Sequence, residues 1–358
     1  MKADIYSSFV RKVMKETMLG DENVVVSPYS ILVLIAMAAS ATNGNTRLEL
    51  LNAISDEFSE AEFSELVVEL QKMCSGKAGV SSANAIAVKE NISESISADF
   101  KEQFSREFDG EIFNSVDIIN DINSWVKEKT NGMIDNIVND SMKHMLLSIM
   151  NAVAFDAEWR EQYEEDDVID DAEFTNIDGS VSSVTMLDSC ENIYLEDSFF
   201  EGFAKLYKNG YTFVGLLPKK KKSKSFILRG FEQIDFMSLI KNSVHTKVYT
   251  QIPEFKSELS MNLNDTFKKW GINELFKGDA DFTPLSSENL MVEGVLHKAM
   301  IDVNRKGTKA AAVSLMYAVA GCAPKFDYKV VHLDRPFIYA IVENVSMQPV
   351  FTGVVNRL

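Results

Sequence analysis

Cysteine, proline and histidine are scarce in this 358-residue chain, with 3, 7 and 4 copies respectively. The cysteines (Cys74, Cys190, Cys322) are odd in number and far apart, which implies neither a disulfide framework nor a metal-ligand set. His144, His245, His297 and His332 show no ligand spacing either. No proline- or glycine-rich linker and no low-complexity tract divides the sequence, so a single domain over residues 1–358 is expected. Basic residues number 36 against 53 acidic, for a net charge of −17. Such a surface repels phosphate backbones and anionic membranes, and neither nucleic acid nor membrane is expected as a partner. The run "PKKKKSK" from Pro218 to Lys224 is a local exception and reads as a solvated loop after a strand. The longest apolar run, near "ILVLIAMAASA", is too short to span a bilayer. The N-terminal "MKADIYSSFVRKVMKE" reads as an amphipathic helix without the apolar h-region of a signal peptide. The compartment stays open: extracellular if a signal peptide was removed, cytoplasmic otherwise.

Enzyme signatures are absent too. There is no G-x-S-x-G elbow, H-E-x-x-H helix, P-loop or G-x-G-x-x-G turn. Cys322 and His332 would make a nucleophile–base pair only if something fixed their geometry and lowered the thiol pKa, and a small-residue stretch around Cys322 offers neither. No catalytic residue, metal or cofactor is expected.

What is present is a strongly patterned core, with 46% hydrophobic residues. "SPYSILVLIAMAASAT" has Ser27 as N-cap and Pro28 at the first helical position, then stays apolar nearly all round, as a fully buried helix does. "INDINSWVKEKTNGMIDNIV" is an amphipathic helix stopped by Asn131-Gly132. Met145–Phe155, "MLLSIMNAVAF", is a continuous apolar run suited to the middle of a large sheet. Asn209-Gly210 separates two β-rich runs and predicts a hairpin. "VLHKAMIDVN", "RPFIYAIVE" and "QPVFTGVV" read as further strands. The class is α+β, helices around large, mostly antiparallel sheets.

The stretch "RKGTKAAAVSLMYAVAGCAPKF", Arg305 to Phe326, lies between two such strands. Read as a strand, it sets Thr308, Ala310, Ala312 and Ser314 on one face, all small and uncharged, and Lys309 on the other. That face could enter a sheet without burying a charge. An Ala-rich helix or an irregular loop fits the pattern equally well.

Several motifs in order resemble the serpin family over essentially the whole chain: "VVVSPYSI", "INSWVKEKTNGMI", "NAVAFDAEW", "LHKAMIDVN", "VNRKGTKAAA" (Val303–Ala312), "RPF" at 335–337 and "PVFTGVV". The resemblance implies three β-sheets, eight or nine helices and an exposed reactive-centre loop at about 305–326. It implies a metastable inhibitor of serine proteases, possible cysteine-protease targets included, whose cleaved loop enters the main sheet while the protease is held as an acyl-enzyme. A monomer is implied, with polymerisation as its failure. A non-inhibitory chaperone or carrier is the alternative, although such members often lose the small-residue hinge kept here at Gly307, Thr308, Ala310, Ala311 and Ala312. Counting from Gly307 as the fifteenth residue before the cleaved bond gives Gly321–Cys322, within a window that includes Val319 and Ala320. About fifteen residues at ~3.3 Å each would span roughly 50 Å once extended. The small residues around this bond suit a shallow elastase-like or subtilisin-like pocket; Lys325, the nearest base, would need a longer loop. Ser27, Ser30, Asn151 and His297 match the family's polar cluster beneath the opening sheet, and a helix cap with unrelated core polars would look the same. Trp159 matches the aromatic at the sheet top, or is an ordinary core residue. The family usually carries Glu two positions before the hinge glycine and a base after the proline of the neighbouring strand. Here these are Arg305 and Glu254, so a bridge with exchanged signs is expected.

Overall fold

The computed structural model describes residues 3–18, 20–56, 58–74, 79–142, 145–219, 224–308 and 328–358. Ala310, Ala311, Ala312, Val319, Ala320, Gly321 and Cys322 lie outside the described residues, as does most of the basic run after Pro218. Lys224, read above as part of a loop, instead opens the helix Lys224–Gln233.

Nine α-helices among the described residues surround sheets of nine, five and two strands. The five-stranded sheet runs Phe255–Asn262, Gly294–Val303, Leu147–Phe155, Val80–Val88, Gly110–Phe113. Its strand Leu147–Phe155 is buried throughout, because both of its faces are covered. Ile149, Val153 and Phe155 join one apolar cluster, while Met150, Ala152 and Ala154 join a second on the opposite face. A strand covered twice loses the alternation of a half-solvated one and reads as a continuous apolar run.

On the first face lies the helix Pro28–Ser40, every residue of which is buried. It packs between Leu147–Phe155 and Gln348–Val355, and so joins the five-stranded sheet to the nine-stranded one. Ser27 caps it by accepting the Ser30 N–H, which satisfies one of the donors a helix start leaves unpaired. On the second face the helix Ile118–Lys129 buries Ile122, Trp125 and Val126. It stops where Asn131 and Gly132 take φ of 52° and 75°.

The hairpin at Asn209-Gly210 joins Phe200–Leu206 to Tyr211–Pro218 in antiparallel register. Among the described residues three strand pairings are parallel, one of them Gly294–Val303 with Leu147–Phe155, and the other pairings are antiparallel. The strand Val80–Val88 is not among the strands read from the sequence. Its run "VSSANAIAV" is rich in alanine and serine, which carry little strand signal of their own. No helix among the described residues is long and apolar enough to cross a membrane.

Candidate functional site

At the centre of the five-stranded sheet, Gly294–Val303 pairs directly with Leu147–Phe155, from Gly294 opposite Ser148 to Ile301 opposite Phe155. The two strands are parallel. A strand running the other way could therefore enter between them and pair antiparallel to both, once this seam had parted.

The predicted hinge sits at the head of that seam. Asn304 to Gly307 form a tight turn in which Asn304 N–H donates to Gly307 O at 2.9 Å and Gly307 N–H to Asn304 O at 3.1 Å. The chain then pairs antiparallel with the continuation of the central strand, Gly307 opposite Glu158 and Thr308 opposite Ala157. Gly307 has φ of 137°, and a Cβ there would lie 2.3 Å from Ala157 O and 2.7 Å from Trp159 N. Backbone conformation and close approach each demand glycine.

Trp159 is fully buried, stacked on Tyr207 with centroids 4.1 Å apart and set edge-on to Tyr163 at 6.3 Å. Its indole Nε1–H donates to Asn304 O at 2.9 Å. The backbone N–H groups of Trp159 and Tyr163 donate to Lys306 O and Arg305 O at 3.2 and 3.1 Å. Three successive carbonyls of the turn are thus held by one short segment. On the other side, Glu254 Oε1 accepts the Arg305 backbone N–H at 3.0 Å and its Nε–H at 3.3 Å. The expected pair with exchanged signs is formed.

Lower in the seam, Ser27, Ser30, Asn151 and His297 meet in one buried network. His297 stands opposite Asn151, and Asn151 opposite Asn84, on three adjacent strands. Ser27 N–H donates to His297 Nε2 at 3.4 Å. Nε2 is therefore the acceptor, and in a neutral imidazole Nδ1 then carries the proton and donates to Ser30 Oγ, 2.9 Å away. The Ser30 hydroxyl passes the direction on to Asn151 Oδ1. The Asn151 amide donates in turn to Ser82 Oγ at 3.0 Å and to Asn84 Oδ1, and Asn84 to Phe108 O at 2.6 Å. Ser27 Oγ donates to Val350 O at 2.7 Å while accepting the Ser30 N–H. Burial holds the His297 pKa down to about 3, which keeps it neutral and the chain of donors one-directional.

The structure thus gathers the predicted polar residues at mid-seam and Trp159, Glu254, Arg305, Gly307 and Thr308 at its head. Ser82 and Asn84 were not singled out from the sequence. Both lie on the unrecognised strand Val80–Val88, and their spacing of two was the available signal. Tyr163, Lys205 and Glu191, close to Trp159, were also missed. The lone lysine inside the apolar "FAKLY" was the hint. Among the described residues no group of His, Cys, Asp and Glu could hold a metal ion.

Three comparisons bear on this geometry. The native-state crystal structure of tengpin, a thermophilic serpin, is similar over 100% of this chain and 95% of its own, with TM-score 0.88 and 34% identity. Tengpin in its latent state matches with a lower TM-score, 0.82. Among curated proteins, Iripin-1 of Ixodes ricinus is 28% identical, the alignment covering 94% of this chain and 90% of Iripin-1. An uncharacterized serpin-like protein of Methanosarcina mazei is also 28% identical, over 99% of this chain and 84% of its own. The sequence profile of the serpin (serine protease inhibitor) family matches residues 4–358, and the chain belongs to that family.

Proposed function

We propose that the protein is a suicide-substrate inhibitor of serine proteases, folded as one domain over residues 1–358. The observation that carries this reading is the closed parallel seam with Gly307–Thr308 already paired at its head. Residues 305–326 are the reactive-centre loop, with Gly321–Cys322 as the cleaved bond. Val319 and Ala320 lie beside it and suit an elastase-like or subtilisin-like protease. After cleavage the loop extends the existing two-residue ladder. The pairing of Gly307 with Glu158 and Thr308 with Ala157 then continues with Ala310 opposite Phe155 and Ala312 opposite Val153. Ser314 comes opposite Asn151. The entering face stays small, and the Ser314 hydroxyl arrives where the polar network has hydrogen-bonding groups to exchange. New ladders on both sides and newly buried apolar area drive the step. Meanwhile Ser27, Ser30, Asn151 and His297 re-pair as the strands part, so that no buried polar atom is left alone.

The test is incubation with elastase-like and subtilisin-like proteases followed by denaturing electrophoresis. A detergent-stable complex of inhibitor and protease is expected. Clean loop cleavage without a complex would instead assign the protein to the chaperone or carrier class, and turnover of a small ester to a Cys322-dependent hydrolase.

A further inference from the structure

Lys205 is a cation buried in the strand Phe200–Leu206, with 3% of the residue exposed. Its ammonium lies 2.8 Å from Glu191 Oε1, 4.3 Å from the ring centroid of Tyr163 and 5.6 Å from that of Trp159. Glu191 in turn accepts from Ser189 Oγ at 2.9 Å, and Ser189 meets Thr250 Oγ1 at 2.9 Å. The pair is therefore tied into the strands Val181–Glu196 and Val244–Pro253.

Burying an ammonium ion is costly even when it is paired, and an apolar side chain of similar volume would avoid that cost. A lysine here therefore invites the question of what its charge touches. It touches the rings of Tyr163 and Trp159, whose backbone and indole N–H groups hold the carbonyls of Asn304, Arg305 and Lys306. Attraction between the cation and the rings fixes both side chains to the rigid sheet. With its rings fixed, the short segment that carries the hinge turn is fixed as well.

We propose that Lys205 and Glu191 are positioning residues for the hinge, their ion pair anchoring the Tyr163 and Trp159 rings that seat the Asn304–Gly307 turn. The consequence for inhibition rests on the inhibitory reading above, because an anchored turn restrains entry of an uncleaved loop. The seat itself does not depend on that reading.

The experiment measures amide exchange and spontaneous inactivation on the full chain for wild type, Lys205→Met and the double variant Lys205→Met/Glu191→Leu. The single variant leaves the Glu191 carboxylate without its cation and is expected to be less stable overall. The double variant removes that charge too and is expected to recover stability while still lacking the cation over the rings. Exchange at the Trp159 and Tyr163 amides is expected to rise about tenfold in both variants, with the amides of Val80–Val88 unchanged in the double variant. Spontaneous conversion to an inactive, heat-resistant form is expected to speed up about tenfold in the double variant, with the rate of protease association unchanged. Wild-type exchange at residues 159 and 163 in the double variant would overturn the proposal, leaving a purely structural ion pair. A uniform rise along the chain would overturn it too. If Lys205→Met does not fold, the double variant carries the same decision alone. Absence of any protease complex with wild type would end the inhibitory reading, and the exchange data would still decide the seat.

Discussion

Glu254 takes hold of Arg305 twice, through the backbone N–H and through the side chain, with the same carboxylate oxygen. The two contacts differ in worth. The side chains of Arg305 and Glu254 are 44% and 27% exposed, so the ion pair contributes only ~0–1 kcal/mol. The backbone bond survives any residue but proline at position 305 and needs an acceptor at 254. Arg305→Ala is therefore expected to be mild and Glu254→Ala clearly worse. Arg305→Glu sets two carboxylates together and is expected to raise polymer formation on gentle heating. Adding Glu254→Lys restores attraction between the side chains but supplies no acceptor for the backbone N–H, so rescue should be partial. Native gels after timed incubation read all four variants, and equal behaviour of the two alanine variants would refute this ranking.

Gly307→Ala is expected to break the ladder at the seam head. Its Cβ has no room beside Ala157 O and Trp159 N, and its φ is one that alanine rarely adopts. A loss on the order of 1–3 kcal/mol of native-state stability is expected, measured by denaturant unfolding.

Cleavage between Tyr317 and Cys322 is expected to raise the thermal midpoint, because the freed loop then pairs with both strands of the seam. Differential scanning before and after nicking checks this. A midpoint that stays put or falls would exclude insertion.

Thr308→Arg is expected to turn the inhibitor towards substrate behaviour. Thr308 already pairs opposite Ala157, and continuing that ladder would draw an unpartnered cation into the sheet at a cost of several kcal/mol. Lys309→Glu, on the opposite face of the entering strand, should change little. Stoichiometry of inhibition distinguishes the two, and equal values would show the face assignment to be wrong.

His297 makes stability depend on pH. Its folded-state pKa is held at about 3 by burial, whereas an unfolded histidine titrates near 6.5. Between those values the unfolded chain binds the extra proton. Stability is therefore complete above about pH 6.5 and falls as pH drops, by about 1.4 kcal/mol per unit from this group. His297→Gln removes this contribution. Its unfolding free energy should fall less steeply from pH 6 to pH 4 than that of wild type, as followed by urea titrations. Parallel slopes would refute the assignment.

Much of the architecture is legible in the chain because local chemistry and burial agree. Ser27-Pro28 before an apolar run determines a capped, buried helix, and that helix is found at Pro28–Ser40. Asn209-Gly210 determines a hairpin, and the unbroken apolar run at 145–155 a strand covered on both faces. The motifs that place the chain among the serpins are likewise legible without coordinates.

What only the tertiary structure decided are relations between residues far apart in sequence. Ala- and Ser-rich Val80–Val88 becomes a central strand because both flanking strands offer it hydrogen bonds, a gain that no propensity within the segment records. The His297 tautomer follows from a donor 270 residues away, the Ser27 N–H. The worth of Glu254 depends on a backbone group rather than on the charge that drew attention to it. Lys205 stands out in the sequence only as a lone lysine in an apolar run, and the fold alone supplies its partners Glu191, Tyr163 and Trp159. Sequence patterns report how each side chain meets water or a core; they carry no record of which distant partner completes a buried polar group, and here those partners form the site.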